Sequence, residues 1–177
     1  MVKPHLYIYW RDSCKRIWNY NKKIKLIFVL RDPSNRAYSH WKMNVERSFE
    51  KLTFIDSILH ENKRLKKCSP FQDRKFSYID RGFYNYQIKN FFEKFDKDQM
   101  LFLKYEDYQM DNEVALNKIF DFLGVNPDLF NFEKAIKRKS SNSNIPKDVR
   151  IKLVSLYKYD ILQLEQTLNW DLSDGLK

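Results

Sequence analysis

The stretch Lys25-Leu26-Ile27-Phe28-Val29-Leu30-Arg31-Asp32-Pro33-Ser34-Asn35-Arg36-Ala37-Tyr38-Ser39 decides how the chain is read. Residues 25–30 hold a continuous apolar run closed by Arg-Asp-Pro, the pattern of a strand buried in a parallel sheet. A helix should follow at once. Asp32 suits the N-cap, Pro33 suits the first helical position, and Ala37, Tyr38, Trp41 and Val45 recur at helical spacing. Arg31 then stands where a parallel strand leaves its sheet, the edge at which α/β folds bind ligands.

Ser39 lies about two turns into that helix, with Arg36 three residues before it on the same face. A guanidinium fork can bind two phosphate oxygens while a hydroxyl donates to a third. Spacing alone leaves a plainer arrangement equally open. Arg31 and Arg36 could pair with Asp32 or Glu46, and Ser39 could be an ordinary helix residue.

Working outward, the pattern predicts a helix over 53–64 capped by Thr53, with Phe54, Ile55, Ile58 and Leu59 on one face. A loop over 66–75 follows, then a helix over 82–95 striped with Tyr84, Ile88, Phe91 and Phe95. Residues 100–105 read as a second apolar strand. Residues 111–123 read as a helix, with Gly124 as its C′ residue. After a basic Ser/Asn-rich loop over 137–144, a last helix should start near Pro146, capped by Asn144 and bent near Asp160. Strand, helix, helix, strand, helix implies an α/β fold with a parallel sheet flanked by helices. Two or three strands are few for a free-standing sheet of this kind, so residues 1–177 read as a single, partial domain.

The chain has 177 residues, with 33 Lys+Arg against 23 Asp+Glu, for a formal charge of +10. Hydrophobics at 43% and aromatics at 16% exclude a disordered chain. Only 3 glycines are present, Gly82, Gly124 and Gly175, so neither a Gly-x-x-x-x-Gly-Lys loop nor a dinucleotide fingerprint is encoded. Cys14 and Cys68 show no metal or redox spacing, and no His/Cys/Asp cluster has ligand spacing, so no metal is expected. No apolar run is long enough to cross a bilayer. With no signal-peptide pattern at the N-terminus, the expected compartment is the cytoplasm. The charge points to a polyanionic partner, although the lysines equally suit a solvated surface.

Four ordered segments carry a resemblance. Leu30-Arg31-Asp32-Pro33-x-x-Arg36-x-x-Ser39 after an apolar strand resembles the 3′-phosphate-binding motif of the PAPS-dependent sulfotransferases. Arg81-Gly82-Phe83-Tyr84-x-x-Gln87 resembles the R-G-x-Y-x-x-Q helix of that family. Leu101 to Asp107 resembles its strand ending in Y-E-D, and Ile119 to Gly124 its F-x-F-L-G helix end. The carbohydrate (heparan-type) and bacterial branch is the most similar. The resemblance implies a P-loop-NTPase-like parallel sheet, PAPS as sulfuryl donor with PAP as product, and a hydroxyl or amine acceptor on a carbohydrate. It assigns the 3′-phosphate to Arg31 and Ser39, places Tyr84 along the cleft, and gives Lys139 and Ser140 to a loop closing over the nucleotide. In the family Y-E-D reads as structural, which makes Glu106 and Asp107 supports, with Asp107 as a helix cap.

The same resemblance marks what is not found. The family's loop for the 5′-phosphosulfate lies well before its R-D-P motif, and its base is a Glu shortly before a segment matched here by Lys3 to Trp10. The expectation is therefore a domain without its N-terminal P-loop strand and helix, its catalytic residues not assigned. His5 is a weak substitute, since its matching position is not catalytic. The reading from another class is a basic nucleic-acid- or polyanion-binding protein without catalysis. Against it, the aromatics fall on apolar helix stripes, so no specific nucleic acid is expected. The oligomeric state is not encoded in any legible pattern.

Overall fold

The structure, a computed structural model, describes residues 8–69, 71–127 and 145–176. Two parallel strands, β1 (Leu26–Leu30) and β2 (Met100–Lys104), pair in register from Leu26 opposite Met100 to Leu30 opposite Lys104. Helix α1 (Ser13–Tyr20) precedes β1. Helices α2 (Pro33–Glu46), α3 (Phe54–Cys68) and α4 (Tyr84–Phe92) connect the strands. Helices α5 (Tyr105–Met110), α6 (Asn112–Leu123) and α7 (Lys147–Leu168) follow β2. The α/β architecture and parallel sheet expected above are present.

Side chains alternate across the pleat. One face of the sheet carries Leu26, Phe28 and Leu30 beside Met100 and Phe102. These pack with Cys14, Tyr84, Ile88, Phe91 and Leu164 into a first core. Phe28 stacks on its cross-strand partner Phe102 at 4.7 Å and meets Phe91 edge-on at 5.2 Å. A second core joins Ala37, Phe54, Tyr78, Leu153, Tyr157 and Ile161, tying α2 and α3 to α7.

The other sheet face departs from the expectation of a strand buried on both sides. There Leu103 of β2 is buried, but Ile27 and Val29 of β1 are 37% and 52% exposed. The apolar run is a faithful sign of a strand; among the described residues, nothing covers that half of its second face.

Helix ends follow local chemistry. Thr53 caps α3 through Asp56 N–H at 3.2 Å, as expected, but the helix runs on to Cys68. Helix α4 starts after the expected Gly82, because Asp80–Gly82 forms a 3-10 turn before it, and it ends at Phe92, leaving Phe95 of the apolar stripe beyond it. Gly124 ends α6 with φ +73°, the left-handed geometry of a C′ glycine. Asp111 caps α6 through the N–H groups of Glu113 and Val114, so Asp107 is not that cap. Helix α7 is an uninterrupted 22-residue rod. Asp160 does not bend it. Its buried carboxylate instead accepts from Asn85 N–H at 3.1 Å and Tyr86 N–H at 3.4 Å, capping the neighbouring α4. Asn144, the expected cap of α7, lies outside the described residues.

The sheet's asymmetry has a direct consequence for stability. Phe28→Ala should cost about 3–5 kcal/mol, the range for truncating a buried aromatic. Val29→Ala should cost no more than about 1 kcal/mol, the span of strand propensity. Urea unfolding of both variants checks this, and a Val29→Ala loss as large as that of Phe28→Ala would mean the second face is covered.

Candidate functional site

The strand register builds the site. Because Leu30 pairs with Lys104, the residues that follow leave the same sheet edge side by side. Arg31 comes to rest with its guanidinium 4.9 Å above the Tyr105 ring. The backbone N–H of Asp32 donates to Glu106 Oε1 at 3.0 Å. Arg31 is half-buried and makes no ion pair among the described residues.

Asp32 is spent on structure. Its Oδ1 accepts from Asn35 N–H at 2.6 Å, which caps α2. Both its oxygens are also gripped by Arg150 of α7, at 3.1 and 3.2 Å. The ion pairs of the plainer arrangement, Arg31 or Arg36 with Asp32 or Glu46, are therefore absent among the described residues. Ser39 sits half-buried on α2.

Arg36 does not stay beside Ser39, as their shared helix face first implied. It turns toward the second core and donates through Nη2 to the Tyr78 carbonyl. Around it lie His40, Glu61, Arg81 and Tyr157. Glu61 is 2% exposed and accepts from Ile79 N–H at 2.7 Å and Asp80 N–H at 2.8 Å. Burial lifts its carboxyl to about 7. Burial, helped by Arg81, Arg36 and Arg47, holds the His40 imidazole down at about 3, so it is neutral at ordinary pH.

The Arg81-Gly82-x-Tyr84-x-x-Gln87 segment has a physical explanation at each position. Arg81 donates to Ser77 Oγ at 2.8 Å and lies over the Tyr9 ring at 5.0 Å. A Cβ on Gly82 would fall 2.6 Å from the Tyr157 ring, so only glycine lets α7 approach. Gln87 Nε2 donates to the Arg81 carbonyl at 3.2 Å. Tyr84 is buried in the first core at 6% exposure, with its hydroxyl near the Arg31 backbone. Burial raises that hydroxyl to about 12. Tyr84 thus lies in the core, next to the Arg31 backbone. Lys139, Ser140 and His5 lie outside the described residues.

Arg150 and the Glu106 contact had no signal in the sequence read alone, because each joins segments more than seventy residues apart. Among the described residues, no group of three or more His, Cys, Asp or Glu side chains could hold a metal ion.

The sequence model of the sulfotransferase domain matches residues 1–156. Mouse heparan sulfate glucosamine 3-O-sulfotransferase 3B1 is 31% identical over 130 residues, covering 71% of this chain and 31% of that protein. Human carbohydrate sulfotransferase 15 is 28% identical over 144 residues, covering 70% of this chain and 24% of that protein. The chain thus spans about a third or less of the length of these curated relatives. The crystal structure of a sulfotransferase from Alicyclobacillus acidocaldarius superposes with a TM-score of 0.85 at 23% identity, over 97% of this chain and 65% of that one.

The buried Glu61 carboxyl gives a pH signature. Unfolded, it ionises near 4.5; folded, it keeps its proton to about 7. Between those values the folded state binds more protons, so stability falls as pH rises through the window. Glu61→Gln removes this term. Its stability relative to wild type should improve steadily from about pH 4.5 to pH 7 in urea melts. A constant difference across that range would show that the carboxyl is not shifted.

Proposed function

The chain belongs to the sulfotransferase domain family, and from that premise we propose that it carries the 3′-phosphate half of a PAPS cleft, with Arg31 and Ser39 as the clamp. The observation that supports this most is the state of Arg31. Its guanidinium lies 4.9 Å from the centre of the Tyr105 ring at the carboxyl edge of a parallel sheet, and it makes no ion pair among the described residues. Glu106 holds the backbone just after its exit, and Ser39 offers a hydroxyl two turns along α2. PAPS, when bound, supplies the sulfuryl group.

The loop for the 5′-phosphosulfate and the base that takes the acceptor's proton are proposed to belong to a segment that packs along β1. The exposed Ile27 and Val29 favour that placement. Lys139 and Ser140 are proposed to reach the nucleotide from the loop over 137–144. The proposed acceptor is a carbohydrate hydroxyl or amine, in keeping with the relatives, whose names specify heparan sulfate glucosamine and carbohydrate. The charge of +10 suits an anionic sugar better than a neutral one. Many aromatic rings are spent on packing against one another, which disfavours base stacking on nucleic acid.

Calorimetric titration of PAP into the full chain tests the clamp. Arg31→Ala should weaken PAP binding roughly 10- to 100-fold, from about 1.5–3 kcal/mol for a charge-assisted bond. Ser39→Ala should weaken it less. Equal affinity in wild type and Arg31→Ala would move the 3′-phosphate elsewhere.

A further inference from the structure

We propose that Arg150 is a positioning residue for the 3′-phosphate clamp, acting through Asp32 without touching the nucleotide. This rests on the reading that Arg31 and Ser39 receive the 3′-phosphate.

Arg150 stands in the first turn of α7. Its two terminal nitrogens reach the two oxygens of Asp32 at 3.1 and 3.2 Å, and Nη1 also lies 3.4 Å from Asn35 Oδ1. The pair is well shielded, with side-chain exposures of 25% for Arg150 and 9% for Asp32. Asp32 follows Arg31 directly, and its carboxylate caps α2 through Asn35 N–H. Arg150 therefore holds both residues that set the first turn of α2. That turn fixes the direction in which α2 leaves β1. The direction in turn fixes how Ser39, two turns along, stands relative to Arg31 at the strand end.

The geometry explains why the residue is arginine. A planar fork satisfies both carboxylate oxygens at once and sets the orientation of the carboxyl group. A lysine ammonium supplies the charge without the orientation. The Asp32 backbone is fixed independently by Glu106, so loss of the fork frees the carboxylate and the helix turn while leaving the strand exit in place.

The test compares PAP with 5′-AMP, which lacks the 3′-phosphate, on the full chain. Titrations run to millimolar ligand, and thermal melts confirm that each variant is folded. Arg150→Lys should weaken PAP binding about tenfold, an ordinary coupling between residues in one network, while 5′-AMP binding stays the same. Asp32→Asn, which keeps a capping oxygen, should show the same selective loss and serves if Arg150→Lys proves unfolded. A loss shared equally by PAP and 5′-AMP would mark Arg150 as structural only and overturn the proposal. Unchanged PAP binding in folded Arg150→Lys, alongside a loss in Arg31→Ala, would overturn the positioning role alone. A wild type that does not prefer PAP over 5′-AMP would overturn the clamp and the positioning role together.

Discussion

The pairing of Leu30 with Lys104 is the constraint on which the rest depends. In a parallel pair both strands end at the same sheet edge, so the register decides which two residues emerge together. Here Arg31 emerges against Tyr105 and Asp32 against Glu106. A slip of one residue would exchange the two faces of β1. Phe28 would leave the first core, and Arg31 would lose both its aromatic platform and its fixed neighbour. The stack of Phe28 on Phe102 therefore serves the strand exit as much as the core, because it pins the register that sets Arg31 against Tyr105.

Helix α7 transmits that local order to the rest of the molecule through polar groups as well as apolar ones. Arg150 grips the start of α2, the Tyr157 hydroxyl donates to the Ile79 carbonyl at 2.9 Å, and Asp160 caps α4. Two of these contacts place charge at or near helix N-termini, where backbone N–H groups are otherwise unpaired. Burying a carboxylate is costly unless donors surround it. Burial does push Asp160 toward its protonated form, opposed by the α4 backbone N–H groups. One rod thus sets the relative positions of α2 and α4.

What could be read from the chain in advance was whatever is local. The β1–α2 junction, the Thr53 cap and the Gly124 stop each rest on neighbours within a few residues, and each is where the pattern placed it. Helix α1 was not legible: it is short, and its apolar contacts through Cys14, Ile17 and Trp18 go to Phe95 and the first core, with no stripe long enough to show periodicity. The orientation of Arg36 was not legible either. Helical spacing puts it on the side of Ser39, but the Tyr78 carbonyl, forty-two residues on, captures the guanidinium. Asp160 is the same kind of case. A lone acidic residue on an apolar helix suggests a bend until the N-terminus it serves comes into view.

The shortage of glycine gives the site its character. A loop of backbone N–H groups binds phosphate with donors that the chain path itself holds in place. A clamp of side chains has no such guarantee, since each donor sits at the end of rotatable bonds and must be held by other residues. Arg31 is held by Tyr105 against its guanidinium and by Glu106 on the backbone just after it. Ser39 depends on the direction of α2, which passes through Asp32. The number of residues committed to these supports exceeds the number that would touch phosphate. In a site built this way, affinity is governed by the supports, and substitutions there should weaken binding without removing a single ligand contact.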